Sequence, residues 1–160
     1  MQNFRTQAVW LILFLVVGCA SETSYQKMQA ELPALSSDNG RIYIYTRIRA
    51  DFLDFSPNVL VNGEPVGQSR SGTFLVVDRR PGSYTIEAAK EASFSAFGGQ
   101  MKSEPARISL VAGQSAYVRL HVVNSEYFVQ VKAILEDPAA AHLELSTLSY
   151  EGGNALPAGN

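Results

Sequence analysis

Apolar and polar residues alternate along most of the chain after residue 40. The clearest alternation begins at Arg41, with Ile42, Ile44, Thr46 and Ile48 on one side and Tyr43, Tyr45, Arg47 and Arg49 on the other. A period of two predicts a half-buried strand. The segment at 83–90 alternates again, and further strands are predicted at 59–61, 73–77, 106–111, 116–123 and 127–135. About seven short strands separated by turn residues favour an antiparallel β-sandwich or barrel.

Turn and capping residues mark the ends of these segments. Asn62-Gly63 predicts a tight hairpin, because both central residues of a type I′ turn need positive φ. Asp137-Pro138 predicts the start of a helix, since Asp caps free amides and Pro suits the first helical position. Ala141, Leu145 and Leu148 give that short C-terminal helix an apolar stripe. We expect the helix to close one end of the sandwich or to cover an edge strand.

The first 18 residues have the three parts of a secretory signal. A polar start carrying Arg5 precedes the apolar run AVWLILFLVV at 8–17, and the small residue Gly18 follows. This order is typical of an export signal. The apolar run is shorter than the roughly 20 residues that a membrane-spanning helix needs. An uncleaved anchor and a buried core helix are the alternatives.

Cys19 is the single cysteine of the chain and directly follows that segment. The sequence LVVGC at 15–19 resembles the lipobox of bacterial lipoproteins. The resemblance implies that Cys19 carries lipid (palmitate among the acyl chains), becomes the mature N-terminus and tethers the chain to a membrane. Ala20 follows where an inner-membrane retention signal would have aspartate, which implies the inner leaflet of the outer membrane, facing the periplasm.

The remaining sequence divides into three regions. Residues 19–40 are mostly polar and are interpreted as the lipidated cysteine and a tether, with a short helix through Tyr25, Met28 and Leu32 that docks on the domain. Residues 41–150 form the β-sandwich with its C-terminal helix, including a small-residue loop at 91–104. Residues 151–160 are predicted to be a disordered tail.

Composition and charge restrict the class of partner. The formal net charge of −2 becomes −3 when residues 1–18, with Arg5, are removed. This balance argues against nucleic acid, which binds basic patches. Length is consistent with one domain that folds around a hydrophobic core.

Two segments carry a family resemblance. The sequences VLVNGEPVG at 59–67 and RPGSYTIEA at 80–88 resemble the PEGA type of small β-sandwich. The opening strand at 42–47 is similar to an uncharacterised family of bacterial lipoproteins with the same order of lipobox, spacer, strand, hairpin and C-terminal helix. The resemblance implies an Ig-like, PEGA-like β-sandwich and implies no activity, because function is not determined by fold.

The side of the first strand that carries Tyr43, Tyr45, Arg47 and Arg49 is a candidate interaction face. Tyrosine and arginine are enriched at interface hot spots. The alternative is a solvated sheet face on which arginine stems lie over tyrosine rings.

Predicted loops contain a second candidate site. Phe52, Phe55, Phe94 and Phe97 are possible ligand-binding residues, because apolar loop residues often mark binding patches. The alternative is that these rings close the two ends of the sandwich core.

The sequence contains no recognisable catalytic, cofactor or metal motif. His121 and His142 have no second ligand at a metal spacing, and no Gly-x-Ser-x-Gly elbow is present. We therefore predict a non-enzymatic binding or scaffolding module of the cell envelope with a protein partner, reached for example by adding a strand to a sheet edge. The alternatives are a binder of a small glycan or lipid ligand through the aromatic loops, and a hydrolase using a carboxylate pair.

Overall fold

The computed structural model describes residues 24–32, 34–48, 56–92, 99–124 and 129–153. These residues form two helices and ten strands. In chain order they are α1 (Ser24–Glu31), β1 (Gly40–Tyr45), β2 (Asn58–Val61), β3 (Glu64–Gln68), β4 (Thr73–Arg79), β5 (Gly82–Ala92), β6 (Gly99–Lys102), β7 (Ala106–Leu110), β8 (Ser115–Asn124), β9 (Val129–Glu136), α2 (Pro138–Leu145) and β10 (Ser149–Gly152).

The strands form two sheets. Sheet A has the order β10-β4-β1-β8-β9, and sheet B has the order β3-β2-β5-β6, with β7 also pairing with β5. The predicted fold class is confirmed: the protein is mainly β, with two sheets rich in antiparallel pairs and a short helix near the C-terminus. The pairings β1–β8 and β10–β4 are parallel, which was not predicted, because alternation within a strand does not identify its neighbour.

The main core lies between the two sheets. Alternate residues of each strand point into it, as in β7, where Ala106, Ile108 and Leu110 are buried and Arg107 and Ser109 are exposed. The most enclosed contributions from sheet A include Ile42, Ile44 and Val118, and sheet B supplies Val59 and Ile86. Burial of such side chains is the main favourable term in folding.

The hairpin between β2 and β3 has the predicted geometry. Asn62 has φ of 51° and Gly63 has φ of 82°. The Asn62 side-chain oxygen accepts a hydrogen bond of 2.8 Å from the Thr85 amide, which joins the turn to β5. Two positive φ values suit the right-handed twist of the flanking strands, so this turn sets the register of the hairpin.

Two predicted irregular regions are partly strands. The loop predicted at 91–104 contains the end of β5 and all of β6, and the tail predicted from 151 contains the end of β10. Between β6 and β7 the chain leaves β5, and Glu104 forms a parallel bridge with Lys132 of β9. Pro105 follows at this break, and proline cannot donate a ladder hydrogen bond.

Both helices pack on the outer face of sheet A. The sequence-predicted helix in the tether is present as α1, and its Tyr25 and Met28 are buried. The α2 helix begins as predicted, with the Asp137 carboxylate accepting from the Ala139 amide at 2.9 Å. However, α2 buries Ala141 and Leu145 against the sheet face, so the expectation that it closes an end or covers an edge is wrong.

Candidate interaction surfaces

The two helices cover an aromatic layer on the outer face of sheet A. Tyr43 stacks on Tyr117 with ring centroids 5.1 Å apart, and Tyr25 of α1 meets Tyr43 edge-on at 6.0 Å. Tyr25 also lies edge-on to Phe74 at 5.8 Å. Because such pairs add to the stability gained from burial, the layer is a second hydrophobic core that fastens the helices to the sheet.

The predicted exposed face of the first strand is therefore largely covered. Tyr43 is only 3% exposed and Tyr45 is 0% exposed, whereas Arg47, just after β1, is exposed. The expectation that the tyrosine rings lie at a contact surface is wrong, because α1 and α2 occupy that space. Residue 49 lies outside the described residues.

Burial determines the ionisation of the tyrosines. It raises the pKa of Tyr25 and Tyr45 well above the ordinary value and also raises the pKa of Tyr117, because a phenolate would be poorly solvated in this layer. These hydroxyls remain protonated at neutral pH. The Tyr117 hydroxyl also lies 2.6 Å from Nε2 of His142, which joins β8 to α2.

A buried ion pair crosses from β1 to β4 on the same face. Arg41 Nε donates to Asp78 Oδ1 at 2.7 Å, and its Nη2 donates to Oδ2 at 2.8 Å. The hydrogen bond to Asp78 raises the pKa of Arg41 further. This pair was not predicted from the sequence. Both residues are charged and lie at the ends of strands, and this feature could have suggested the pairing.

A second set of charges holds the C-terminal half of α2. Arg47 donates to Glu144 Oε1, and this ion pair lowers the pKa of Glu144. Glu144 Oε2 and the Tyr45 hydroxyl are the buried side-chain polar atoms without a hydrogen-bond partner among the described residues. The neighbouring Glu144 carboxylate raises the pKa of Tyr45 further. The Arg47–Glu144 ion pair joins the end of β1 to α2 and leaves Arg47 beside the outward face of the helix.

Two further ion pairs lie on the sheets. Arg119 Nε donates to Glu136 Oε1 at 2.6 Å, and Lys132 Nζ lies 3.0 Å from Glu104 Oε2. No group of three or more acidic, histidine or cysteine side chains that could hold a metal occurs within the described ranges.

Two of the sheet edges offer little free backbone for an added strand. On β9, the Val131 carbonyl accepts from the Glu104 amide, and the Ala133 amide donates to the Glu104 carbonyl. One edge of sheet B carries β3, in which Pro65 has no amide hydrogen. Addition of a strand at these edges is therefore disfavoured.

The outer face of sheet B has no helix among the described residues packed on it. Thr85 pairs with Arg107, and Ser83 pairs with Ser109, on the side opposite the main core. Ser83, Arg107 and Ser109 are exposed, and a shallow concavity of about 330 Å³ lies over these strands. This is the uncovered sheet face opposite the helices.

A more apolar surface lies at α2. Leu143 is 76% exposed and Ile48 is 68% exposed. They border an open concavity of about 350 Å³ that Arg47 and Thr147 also line. A smaller concavity of about 210 Å³ lies on the other side of Arg47, against β8.

The remaining predicted site residues lie outside the described residues. They are the lipidation candidate Cys19 and the aromatic loop residues Phe52, Phe55, Phe94 and Phe97. Their roles stay predictions. Neither helix in the described part of the chain has the length and apolar character needed to cross a membrane.

Comparison with known proteins gives a family and no close relative. No curated protein and no solved structure matches the chain significantly. A family model described as "Protein of unknown function (DUF2846)" matches residues 36–133, from the turn before β1 to the middle of β9. The match covers more than half of the sequence and lies C-terminal to Cys19 and α1. The chain therefore belongs to the DUF2846 family.

Proposed function

We propose that this protein is a lipid-anchored lipoprotein of the cell envelope, acylated at Cys19, whose domain is a non-enzymatic binding or scaffolding module in the periplasm. The observation that carries the proposal is the single cysteine at the end of a segment with the composition of an export signal. Two or three acyl chains on one residue give stable attachment, because each buried methylene contributes about 0.8 kcal/mol.

The arrangement of charged groups supports binding rather than catalysis. In the described sheets, Arg41 is engaged by Asp78, Arg119 by Glu136 and Lys132 by Glu104. A general acid or base must instead reach a substrate and carry a pKa matched to proton transfer. The tyrosines with strongly raised pKa values are buried under helices, where a substrate has no access.

The outer face of sheet B is the surface that we assign to a protein partner. It lies opposite the helix layer, is open to solvent at Arg107 and Ser109, and combines a charged group with small side chains. Arginine is among the residues that are enriched at protein interfaces.

The anchor is tested by metabolic labelling with a palmitate analogue. The wild-type chain should be labelled and processed, and Cys19→Ala should be unlabelled and retain the uncleaved precursor mass. Equal labelling of the two proteins contradicts the proposal.

The partner surface is tested by photo-crosslinking in cells from positions 107 and 109. Position 143 on α2 is the control, because its side chain lies at the surface on the opposite side of the sandwich. A protein adduct from sheet B that disappears in the Cys19→Ala background supports the proposal. Adducts from position 143 alone, or adducts independent of Cys19, contradict it.

A further inference from the structure

The outward side of α2 is apolar although it is exposed. Its inward residues Ala141 and Leu145 are buried, and its outward residues Ala139, Ala140 and Leu143 are exposed. The side of a surface helix that lies opposite the core normally carries charged or polar residues, whereas here Ala139 and Leu143 occupy it. Ile48 extends this surface across the adjoining concavity. We define Ala139, Ala140, Leu143 and Ile48 as the α2 patch.

The start of α1 lies directly beside α2. The rings of Tyr25 and His142 have centroids 6.0 Å apart, and Tyr25 shares a buried cluster with Ala141 and Leu145. Six residue steps separate Tyr25 from Cys19. Even a fully extended chain spans only about 3.3–3.6 Å per residue, so Tyr25 lies at most roughly 20 Å from the Cys19 Cα.

This short connection restricts the orientation of an anchored domain. With acyl chains on Cys19, the helix layer is held close to the bilayer. The two sheets pack about 10 Å apart, which places the outer face of sheet B further away. The predicted tether of residues 19–40 reaches a much shorter distance than its length suggests. The reason is that α1, which lies within it, is docked on sheet A by Tyr25 and Met28.

We propose that the α2 patch rests on the phospholipid bilayer to which Cys19 is anchored. This inference deepens the proposed function, because it rests on acylation of Cys19. Leu143 and Ile48 enter the interface between headgroups and acyl chains, and the alanines allow close approach. Arg47 and Lys27 are exposed on the side of the domain that carries the helices, and there they contact headgroup phosphates.

The size of the patch favours a lipid surface over a separate protein. A stable protein interface buries about 1,200–2,000 Å² in total, which two large apolar side chains and two alanines do not provide. A tethered surface needs much less, because the anchor already supplies a high effective concentration. The bilayer therefore orients the domain and directs the outer face of sheet B toward the periplasm.

Single tryptophans report the orientation directly. The only tryptophan of the chain, Trp10, lies in the segment that processing removes. Leu143→Trp places a probe on the α2 patch, and Ser109→Trp is the matched control on the outer face of sheet B. Both proteins are purified as processed lipoproteins and incorporated into phosphatidylethanolamine–phosphatidylglycerol vesicles containing lipids brominated near the headgroup end of the acyl chains.

We expect the brominated lipids to quench the Leu143→Trp protein at least about twofold more strongly than the Ser109→Trp protein. Ala140→Trp should be quenched similarly to Leu143→Trp, and adding Leu143→Asp to Ala140→Trp should reduce its quenching. Equal quenching at positions 143 and 109 overturns the inference, and this is the result expected if a protein covers the patch instead.

The mass of the purified protein separates the two proposals. A mass without acyl chains overturns the lipoprotein assignment and the inference with it. An acylated protein with equal quenching overturns only the inference that the α2 patch contacts the bilayer.

Discussion

Removal of one partner from the buried Arg41–Asp78 pair should be among the most destabilising single changes in this domain. Both side chains are nearly enclosed, at 9% and 7% exposed, and two hydrogen bonds of 2.7 and 2.8 Å join them. Asp78→Ala leaves the Arg41 guanidinium buried without its counter-ion. A buried charge left in this way costs about 3–5 kcal/mol of unfolding free energy. With a urea m-value of about 2 kcal/mol per M, the unfolding midpoint should fall by roughly 1.5–2.5 M.

The assay is equilibrium urea unfolding of residues 20–160 at pH 7, followed by circular dichroism. Glu104→Gln is the matched control, because the Lys132–Glu104 pair has a similar 3.0 Å contact but is largely exposed. Its loss should cost at most about 1 kcal/mol. The double variant Arg41→Met with Asp78→Leu should recover most of the stability, since apolar residues replace both charges. The reasoning is refuted if Asp78→Ala costs no more than Glu104→Gln, or if the double variant is as unstable as Asp78→Ala.

Three further predictions concern the helix, the hairpin and pH. Leu145→Ala should cost about 2–5 kcal/mol in urea unfolding because the side chain is fully buried, whereas Leu143→Ala in the same helix should change stability by less than about 0.5 kcal/mol. Gly63→Ala should lower the free energy of unfolding by about 1–2 kcal/mol. The cause is the φ of 82° at this position alone, since no atom within 4 Å obstructs the new methyl group. A thermal midpoint equal to wild type would contradict this. Arg47→Gln should lower the free energy of unfolding by up to about 1 kcal/mol at pH 7. The reason is that the ion pair with Arg47 lowers the pKa of Glu144, so it contributes stability above the ordinary glutamate pKa of about 4.3. That contribution is lost as the pH falls through the lowered pKa, so the stability difference between the two proteins should shrink progressively below the ordinary glutamate pKa. A difference that stays constant as the pH falls would argue against the ion pair as its cause.

Local residue chemistry predicted the turns and caps correctly. Asn62-Gly63 forms the expected hairpin turn, and Asp137 caps α2 as expected. Alternation identified most strands, as in β7, where burial switches at every residue. The strands β3, β6 and β10 are absent from the seven predicted segments, and only the hairpin turn before β3 indicated one of them. Each has four or five residues and at least one glycine, so none shows a clear period of two.

The sequence by itself determined both helices and most of the strands, because turn conformation, capping and side-chain alternation depend on residues a few positions apart. Only the tertiary structure decided what covers each face. The same alternation places Tyr43 and Tyr45 on one side of β1 whether that side meets solvent or α1 and α2. Pairing of Arg41 with Asp78, 37 positions apart, depends on which strands become neighbours. The candidate surfaces, the outer face of sheet B and the α2 patch, are what remain exposed after those long-range contacts form, since packing of the helices removes one side of sheet A from water.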